Sequence, residues 1–423
     1  MFGRGLHTTG GVAALGAALL FPAAGSAQEA KAAPEVAVTA KPGKGVTFEK
    51  AGDFKLTLRG RFQLLETLAE QEGDVDTETL VRRARVGVEG YVFDEDLAYK
   101  LELGFAPRDL DETGSPVLDA FIDLKHLRDL GLRIGQQKVQ FDRQTIISSG
   151  SLQLVDRSPL AGAAGLDRDI GVTLHSSDLF GLDGRLGYAL GIYGGEGRGR
   201  VTAPAGFLYV ARAEFRPFGA FDDYVEADFA RSSRPRLALA AAAAWNQNSI
   251  RTNSNRGSAL RDPLAKFEDF EGFDYLHLGA DAIFKWNGLS LLGEFLWREA
   301  RGNDNVFRRD VDGATVEVRP RNTWGWFLQG GQMLGEHWEV VARYTEQHAL
   351  GHESTASLLE DLAGESHELG GGLNWYVHEH SLKLQADYFR HWGDDMDRRA
   401  PAIPGTAFAD GDNVVRVQLQ AAF

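Results

Sequence analysis

The chain has no cysteine, so neither a disulfide framework nor thiolate chemistry is open to it. No apolar run approaches the ~20 residues of a membrane-spanning helix, which excludes a helical membrane protein. Catalytic signatures are missing too: there is no HExxH, no GxSxG and no P-loop. Basic residues are the minority, 45 against 60 acidic for a net charge of −15, which argues against broad electrostatic binding to nucleic acid. Any anion site must therefore be local. His348 with His352, and His378 with His380, fall in predicted connections without a supporting ligand pattern, and Asp310-Val311-Asp312-Gly313 lacks the rest of a calcium loop. The expectation is a non-enzyme without cofactor or metal.

Glycine, by contrast, is abundant at 50 residues. The N-terminus reads as an address. Arg4 opens a short basic segment, Gly11 to Phe21 is an apolar core too short to span a membrane, and Gly25-Ser26-Ala27 offers small residues for cleavage. Residues 1–27 are expected to be a secretory signal peptide, and 28–53, rich in Ala, Lys, Pro and Gly, a flexible periplasmic lead-in. Residues 54–423 form the remaining domain.

That domain is written in alternation. Phe54, Leu56, Leu58, Phe62, Leu64 and Leu68 share one face of a strand, and Lys55, Thr57, Arg59, Arg61, Gln63 and Thr67 share the other. A strand of this length suits a tilted membrane crossing better than the usual five or six residues of a soluble sheet. The pattern recurs to about sixteen strands, the even number that single-chain bacterial barrels require. Short connections at Asp94 to Asp96, Asn287 to Gly288, Leu334 to Glu336 and His378 to His380 alternate with long ones. The long ones include Ala69 to Glu78, Asn246 to Gly272 and Glu299 to Asn322, as periplasmic turns alternate with extracellular loops. Pro217 to Pro235 breaks that rule: it belongs to the short side and is long. The chain stops on the amphipathic strand Asn413 to Phe423, whose terminal aromatic resembles the signal read by the outer-membrane insertion machinery.

The stretch from Gln136 to Asp169 interrupts the alternation, and it is expected to fold inward and narrow the pore. It carries Lys138, Arg143, Arg157 and Arg168 with Ser148 and Ser149, candidates for a constriction that binds anions. Strand parity puts Arg59, Arg61, Arg83, Arg85, Arg133, Lys285, Arg343, Lys383 and Arg416 on the lumen face, where cations in a low-dielectric frame concentrate anions. The same parity puts Glu89, Glu102, Asp119, Asp123, Asp281, Glu339 and Asp387 inside, so cross-strand ion pairs compete for these arginines. All 8 Trp lie at Trp245 or later. Such a belt faces lipid, which leaves the Trp-poor N-terminal strands to face neighbouring subunits.

Gly60-Arg61-Phe62, Arg82-Arg83-Ala84-Arg85, Leu132-Arg133-Ile134-Gly135-Gln136, the segment from Ser148-Ser149 to Asp156-Arg157-Ser158, Asp167-Arg168-Asp169-Ile170-Gly171 and Gly372-Leu373-Asn374-Trp375-Tyr376 together resemble the phosphate-selective porins O and P over nearly all of the mature chain. The resemblance implies an all-β, sixteen-stranded transmembrane antiparallel barrel in the Gram-negative outer membrane, trimeric, with an inward third loop and basic residues leading anions to it. The expected function is passive conduction of small inorganic anions, phosphate or a related oxyanion. The expected partners are outer-membrane lipid, the insertion machinery and two further copies of the chain, with no nucleic acid. Alternatives are a general or weakly selective porin, an outer-membrane hydrolase and a non-conducting barrel.

Overall fold

The computed structural model describes residues 36–71, 73–111, 114–199, 206–259, 272–301, 307–311, 314–318, 320, 322–350, 365–393 and 412–423. The expected signal peptide, together with His352, Asp312 and Gly313, lies outside the described residues. Sixteen antiparallel strands form a ring. The first eight are β1 (Phe54–Gln71), β2 (Asp74–Val92), β3 (Leu97–Gly104), β4 (Val117–Leu124), β5 (Gly131–Lys138), β6 (Arg168–Ser176), β7 (Leu186–Tyr193) and β8 (Leu208–Phe215). The second eight are β9 (Arg236–Ser249), β10 (Phe273–Trp286), β11 (Leu289–Arg301), β12 (Asn322–Leu334), β13 (Trp338–Leu350), β14 (Glu365–His378), β15 (Leu382–Gly393) and β16 (Asn413–Ala422). Each strand pairs with its sequence neighbour, and β16 returns to β1 with Asn413 opposite Glu70 and Ala422 opposite Arg61, which closes the barrel.

Alternation decides which face is wet. On β16, Val415, Val417 and Leu419 are exposed on the outer wall while Arg416, Gln418 and Gln420 are buried inside; on β15, Leu382, Leu384 and Tyr388 point out and Lys383, Gln385 and Asp387 point in. Apolar residues outside and charges inside invert a soluble protein, as lipid requires. The tryptophans bracket that apolar surface. Trp338 stacks on Trp375 at 6.1 Å near one rim, and Trp324 lies ten residues along β12 from Leu334, the partner of Trp338. Ten residues at about 3.3 Å each, tilted by about 40°, span about 25 Å of height, the thickness of an outer-membrane apolar band.

Turns on one rim are tight. Asn287 and Gly288 both have positive φ, the signature of a two-residue primed hairpin turn, and close β10 to β11. Three expectations change. The first long connection, expected from Ala69 to Glu78, is largely strand: β1 runs to Gln71 and β2 starts at Asp74, because Val75, Thr77, Thr79 and Val81 extend the β-branched alternation. Lys138 and Arg168 are strand ends paired in register, so the third loop itself is 139–167. Within the expected lead-in, Ala37–Lys41 and Gly45–Lys50 form a hairpin whose second strand pairs with the start of β1, Val46 opposite Leu58.

Candidate functional site

The third loop crosses the inside of the barrel. It contains two single-turn helices, α1 (Arg143–Ile146) and α2 (Pro159–Ala163), capped by Asp142 and Ser158, whose side chains accept from the backbone N–H groups of Thr145 and Leu160. Pro159 sits at the first helical position, where its missing N–H costs nothing. Val139, Phe141, Leu160, Ala164 and Leu166 from the loop pack on lumen-facing Tyr193, Leu208, Val210, Ala238, Ile283, Leu292, Leu296 and Phe327 of β7 to β12. Leu154 packs on Val341 and Phe389. Much of the lumen is thus a hydrophobic core. Glycines on the wall make room for it: a Cβ on Gly325 would lie 2.8 Å from Leu160 Cδ1 and 2.4 Å from the Glu346 carbonyl oxygen.

A second segment meets the loop from the opposite rim. The long connection Pro217 to Pro235 turns into the lumen, where Glu226 accepts from the Gln153 backbone N–H at 2.7 Å and from Gln329 Nε2 at 2.8 Å. Lys285 Nζ donates to the carbonyl oxygens of Asp222, Val225 and Ala227 at 2.6 to 3.0 Å, pinning the turn to β10. The expected constriction is therefore built by two segments.

Most candidate cations are consumed in holding this assembly. Arg143 is fully buried, donating to Asp281 at 2.5 Å and to Asp223 at 3.0 Å, with its guanidinium over the Tyr224 ring. Burial alone would lower its pKa; Asp281, Tyr224 and Asp223 outweigh that and hold it above the ordinary arginine value. Arg157 donates to the carbonyl oxygens of Gln144 and Ile147, and burial, with Arg256 nearby, brings it down to about 10, still charged at neutral pH. Lys138 donates to the carbonyls of Ile146 and Ile147, and Arg168 to Asp119 at 2.6 Å. On the wall, Arg343 holds Glu368 and the Asp156 carbonyl, Lys383 the Leu152 carbonyl, and Arg416 Asp387. Arg83 donates to Gln63 Oε1 and reaches Asp156 at 3.4 Å. Burial would raise the Asp156 carboxyl; Arg82, Arg83 and Arg416 instead hold it below the usual carboxylate range.

A different group remains accessible. Along β1 to β5, Arg59, Arg61, Arg85, Lys100 and Arg133 keep side-chain exposures of 51, 14, 12, 29 and 25%. By contrast Lys285, Arg343, Lys383 and Arg416 across the barrel are at 5% or less. The third loop reaches this wall, its Ser148 and Ser149 hydroxyls accepting from Arg61 at 3.0 and 3.1 Å. In most of its ion pairs the cation is the more exposed partner: Arg59 over Glu89 at 35%, Lys100 over Asp119 at 4%, Arg85 over Asp109 at 3% and Arg133 over Asp123 at 2%. Glu102, at 17%, is the exception; Arg61, Arg85 and Lys100 share it at 4.0, 3.2 and 3.0 Å.

The list of candidate cations left out several of these residues. Lys100, Arg212 and Arg298 alternate inward like the rest and were visible in principle; Arg212 donates to the Phe141 carbonyl and to Asp281, both at 2.7 Å. Arg82 is different. A register shift between Gln63 and Leu64 of β1 opposes Arg83 and then Val81, skipping Arg82, which turns in to bind Asp156 at 2.7 Å beside Arg83. Two adjacent arginines in a membrane strand were the available signal, since simple alternation would leave one in lipid at a cost of ~2–4 kcal/mol near mid-depth.

The sequence pattern of the family described as "Phosphate-selective porin O and P" matches residues 55–423. No curated protein sequence matches the chain. Among solved structures, an anion-selective porin from Comamonas acidovorans is similar at a TM-score of 0.57 with 14% identity, covering 88% of this chain and 100% of that one. OmpF of Salmonella typhi in complex with daunomycin gives 0.57 with 15% identity over 89% and 100%. OmpT of Vibrio cholerae in its trimer form gives 0.51 with 11% identity over 88% and 100%. At these identities the likeness is one of fold.

Proposed function

The chain belongs to the phosphate-selective porin O and P family of outer-membrane barrels, and from that premise we propose that it passes small oxyanions, phosphate among them, down their gradient between the third loop and the β1 to β5 wall. One observation carries the reading. Along β1 to β5 most cations stand in front of the carboxylates that balance them, so a permeating ion meets Arg59, Lys100 and Arg133 before Glu89, Asp119 and Asp123, and Arg85 before Asp109, while Arg61 and Arg85 share the more exposed Glu102. Such a row of donors attracts anions by charge, and arginine adds planar donation to oxyanion oxygens. Ser148 supplies a hydroxyl on the facing loop.

The same pairing favours a second reading, a modest anion preference with no phosphate site. Planar-bilayer recording separates the two. A reversal potential in a chloride gradient reports anion preference, and phosphate titration then reports a site: block of chloride current by phosphate supports the first reading, anion current indifferent to phosphate the second. Cation selectivity would overturn both.

We propose further that three copies assemble in the membrane, contacting lipid through the Trp-bearing C-terminal half, and that the leader 1–27 is removed on export. The terminal strand would be the element offered to the insertion machinery. Its Phe423 exchanges backbone hydrogen bonds with Gly60, and its ring occupies the space a side chain at Gly60 would need.

A further inference from the structure

The outer wall carries one polar cluster that the permeation reading does not use. Adjacent strands β13 and β14 pair Glu346 with His367 and His348 with Glu365, so two carboxylates and two imidazoles alternate around a square. All four point outward, because the lumen-facing neighbours on the same strands are Thr345 and Glu368. Their height is set by register: Glu346 lies opposite Trp326 and His348 opposite Trp324, at the rim where the aromatic belt meets water.

We propose that Glu346, His348, Glu365 and His367 bind one divalent transition-metal ion of the zinc class. His348 Nε2 lies 2.7 Å from Glu346 Oε1 and 4.0 Å from Glu365 Oε1, and His367 Nε2 lies 3.0 Å from the same Glu365 oxygen. One donor atom from each of Glu346, His348 and Glu365 falls within 4.8 Å of the others. Tetrahedral zinc with bonds of about 2.0 Å separates its ligand atoms by about 3.3 Å, so the donors of Glu346, His348 and Glu365 already bracket the required spacing, with His367 adjoining them through Glu365.

The rings are oriented for the task. His348 stacks on Trp324 at 4.1 Å and 7°, and His367 on Trp392 at 5.2 Å and 16°. The Tyr344 hydroxyl meets His367 Nδ1 at 2.8 Å and Glu346 Oε2 at 3.2 Å. A partner on Nδ1 leaves Nε2 as the metal-facing nitrogen and fixes the ring, the usual outer-shell support of a metal histidine. Among the described residues, neither Glu346 nor Glu365 has a Lys or Arg partner; their counter-groups are imidazoles. Two imidazoles with two carboxylates select a borderline ion over calcium or magnesium, which take oxygen ligands. Bound there, the ion would staple β13 to β14 at the extracellular rim.

The test is zinc binding by the full-length folded barrel, chelator-stripped in detergent, read by competition with a chromophoric zinc chelator. One high-affinity zinc per chain is expected, undiminished by excess magnesium or calcium. His348→Asn and His367→Asn should each weaken it by roughly tenfold or more, and the double variant should abolish it. Retention of folded mobility on a gel without boiling shows that the variants still form barrels. Wild type binding no more zinc than the double variant would overturn the site, and equal competition by calcium would overturn its metal class.

Discussion

Replacing Arg61 by Gln tests whether the β1 to β5 wall sets selectivity. Glutamine keeps a donor facing Ser148 and removes the charge. A permeating ion about 5 Å from the guanidinium interacts with it by about 0.8 kcal/mol at the dielectric constant of water, the conservative limit for a wet passage. Losing that charge penalises an anion and relieves a cation by the same amount, a relative change of about 1.6 kcal/mol. Glu102 lies 4.0 Å away but is shared with Arg85 and Lys100, so about a third of the Arg61 field is discounted. About 1.1 kcal/mol remains, close to a sixfold fall in the anion-to-cation permeability ratio. Reversal potentials across a salt gradient near 0.1 M measure it. The effect should shrink toward 1 M salt, where the screening length falls from about 10 to about 3 Å. Lys383→Met is the control, because its ammonium is fully buried on the Leu152 carbonyl. A ratio within twofold of wild type at low salt, or an equal shift in the control, would refute the assignment.

Arg143→Met should leave the reversal potential unchanged and weaken the anchoring of the loop. An unpaired buried charge costs ~3–5 kcal/mol, and the lower end applies because Arg212 still holds Asp281 and Arg216 still holds Asp223. The temperature at which the folded band is lost on a gel should drop, and single-channel current noise should rise. Gly325→Val should destabilise by about 1–3 kcal/mol through overpacking against Leu160 and the Glu346 carbonyl, read as a lower melting temperature with β-sheet circular dichroism retained. Cysteines placed on outward positions between Phe54 and Ala84 should crosslink neighbouring subunits. Crosslinks near Trp324 and Trp338 instead would reverse the proposed interface.

Much of the barrel was legible because lipid enforces period two over many strands: the outward run Val415, Val417, Leu419 and the inward run Arg416, Gln418, Gln420 leave one register possible. What the alternation could not carry was anything inside. The third loop's position follows from Leu160, Phe141 and Leu154 finding apolar patches on strands far away in sequence, and no local pattern announces those partners. The Pro217 to Pro235 connection was visible only as too long for its side. Its role depends on Glu226 and on backbone carbonyls reaching Lys285, which spacing does not encode. Arg82 was hidden by a single-residue bulge, which flips parity locally.

The net charge of −15 and an anion-attracting passage are compatible because formal charge and accessible charge differ. Asp281, Asp223 and Asp387 are matched inside the packed lumen by Arg143, Arg212, Arg216 and Arg416, where paired fields largely cancel before reaching the solvent-filled passage. Along β2 to β5 the pairs are asymmetric in length: short aspartates at 109, 119 and 123 face long Arg85, Lys100 and Arg133 side chains. A long stem carries its charge past the carboxylate toward water, while the aspartate stays at the wall. Such a pair presents its positive end to a passing ion at close range. On the proposed reading, selectivity follows from which member of each pair stands in front, and an Asp rather than a Glu behind Arg85, Lys100 and Arg133 is the sequence-level device at those three positions.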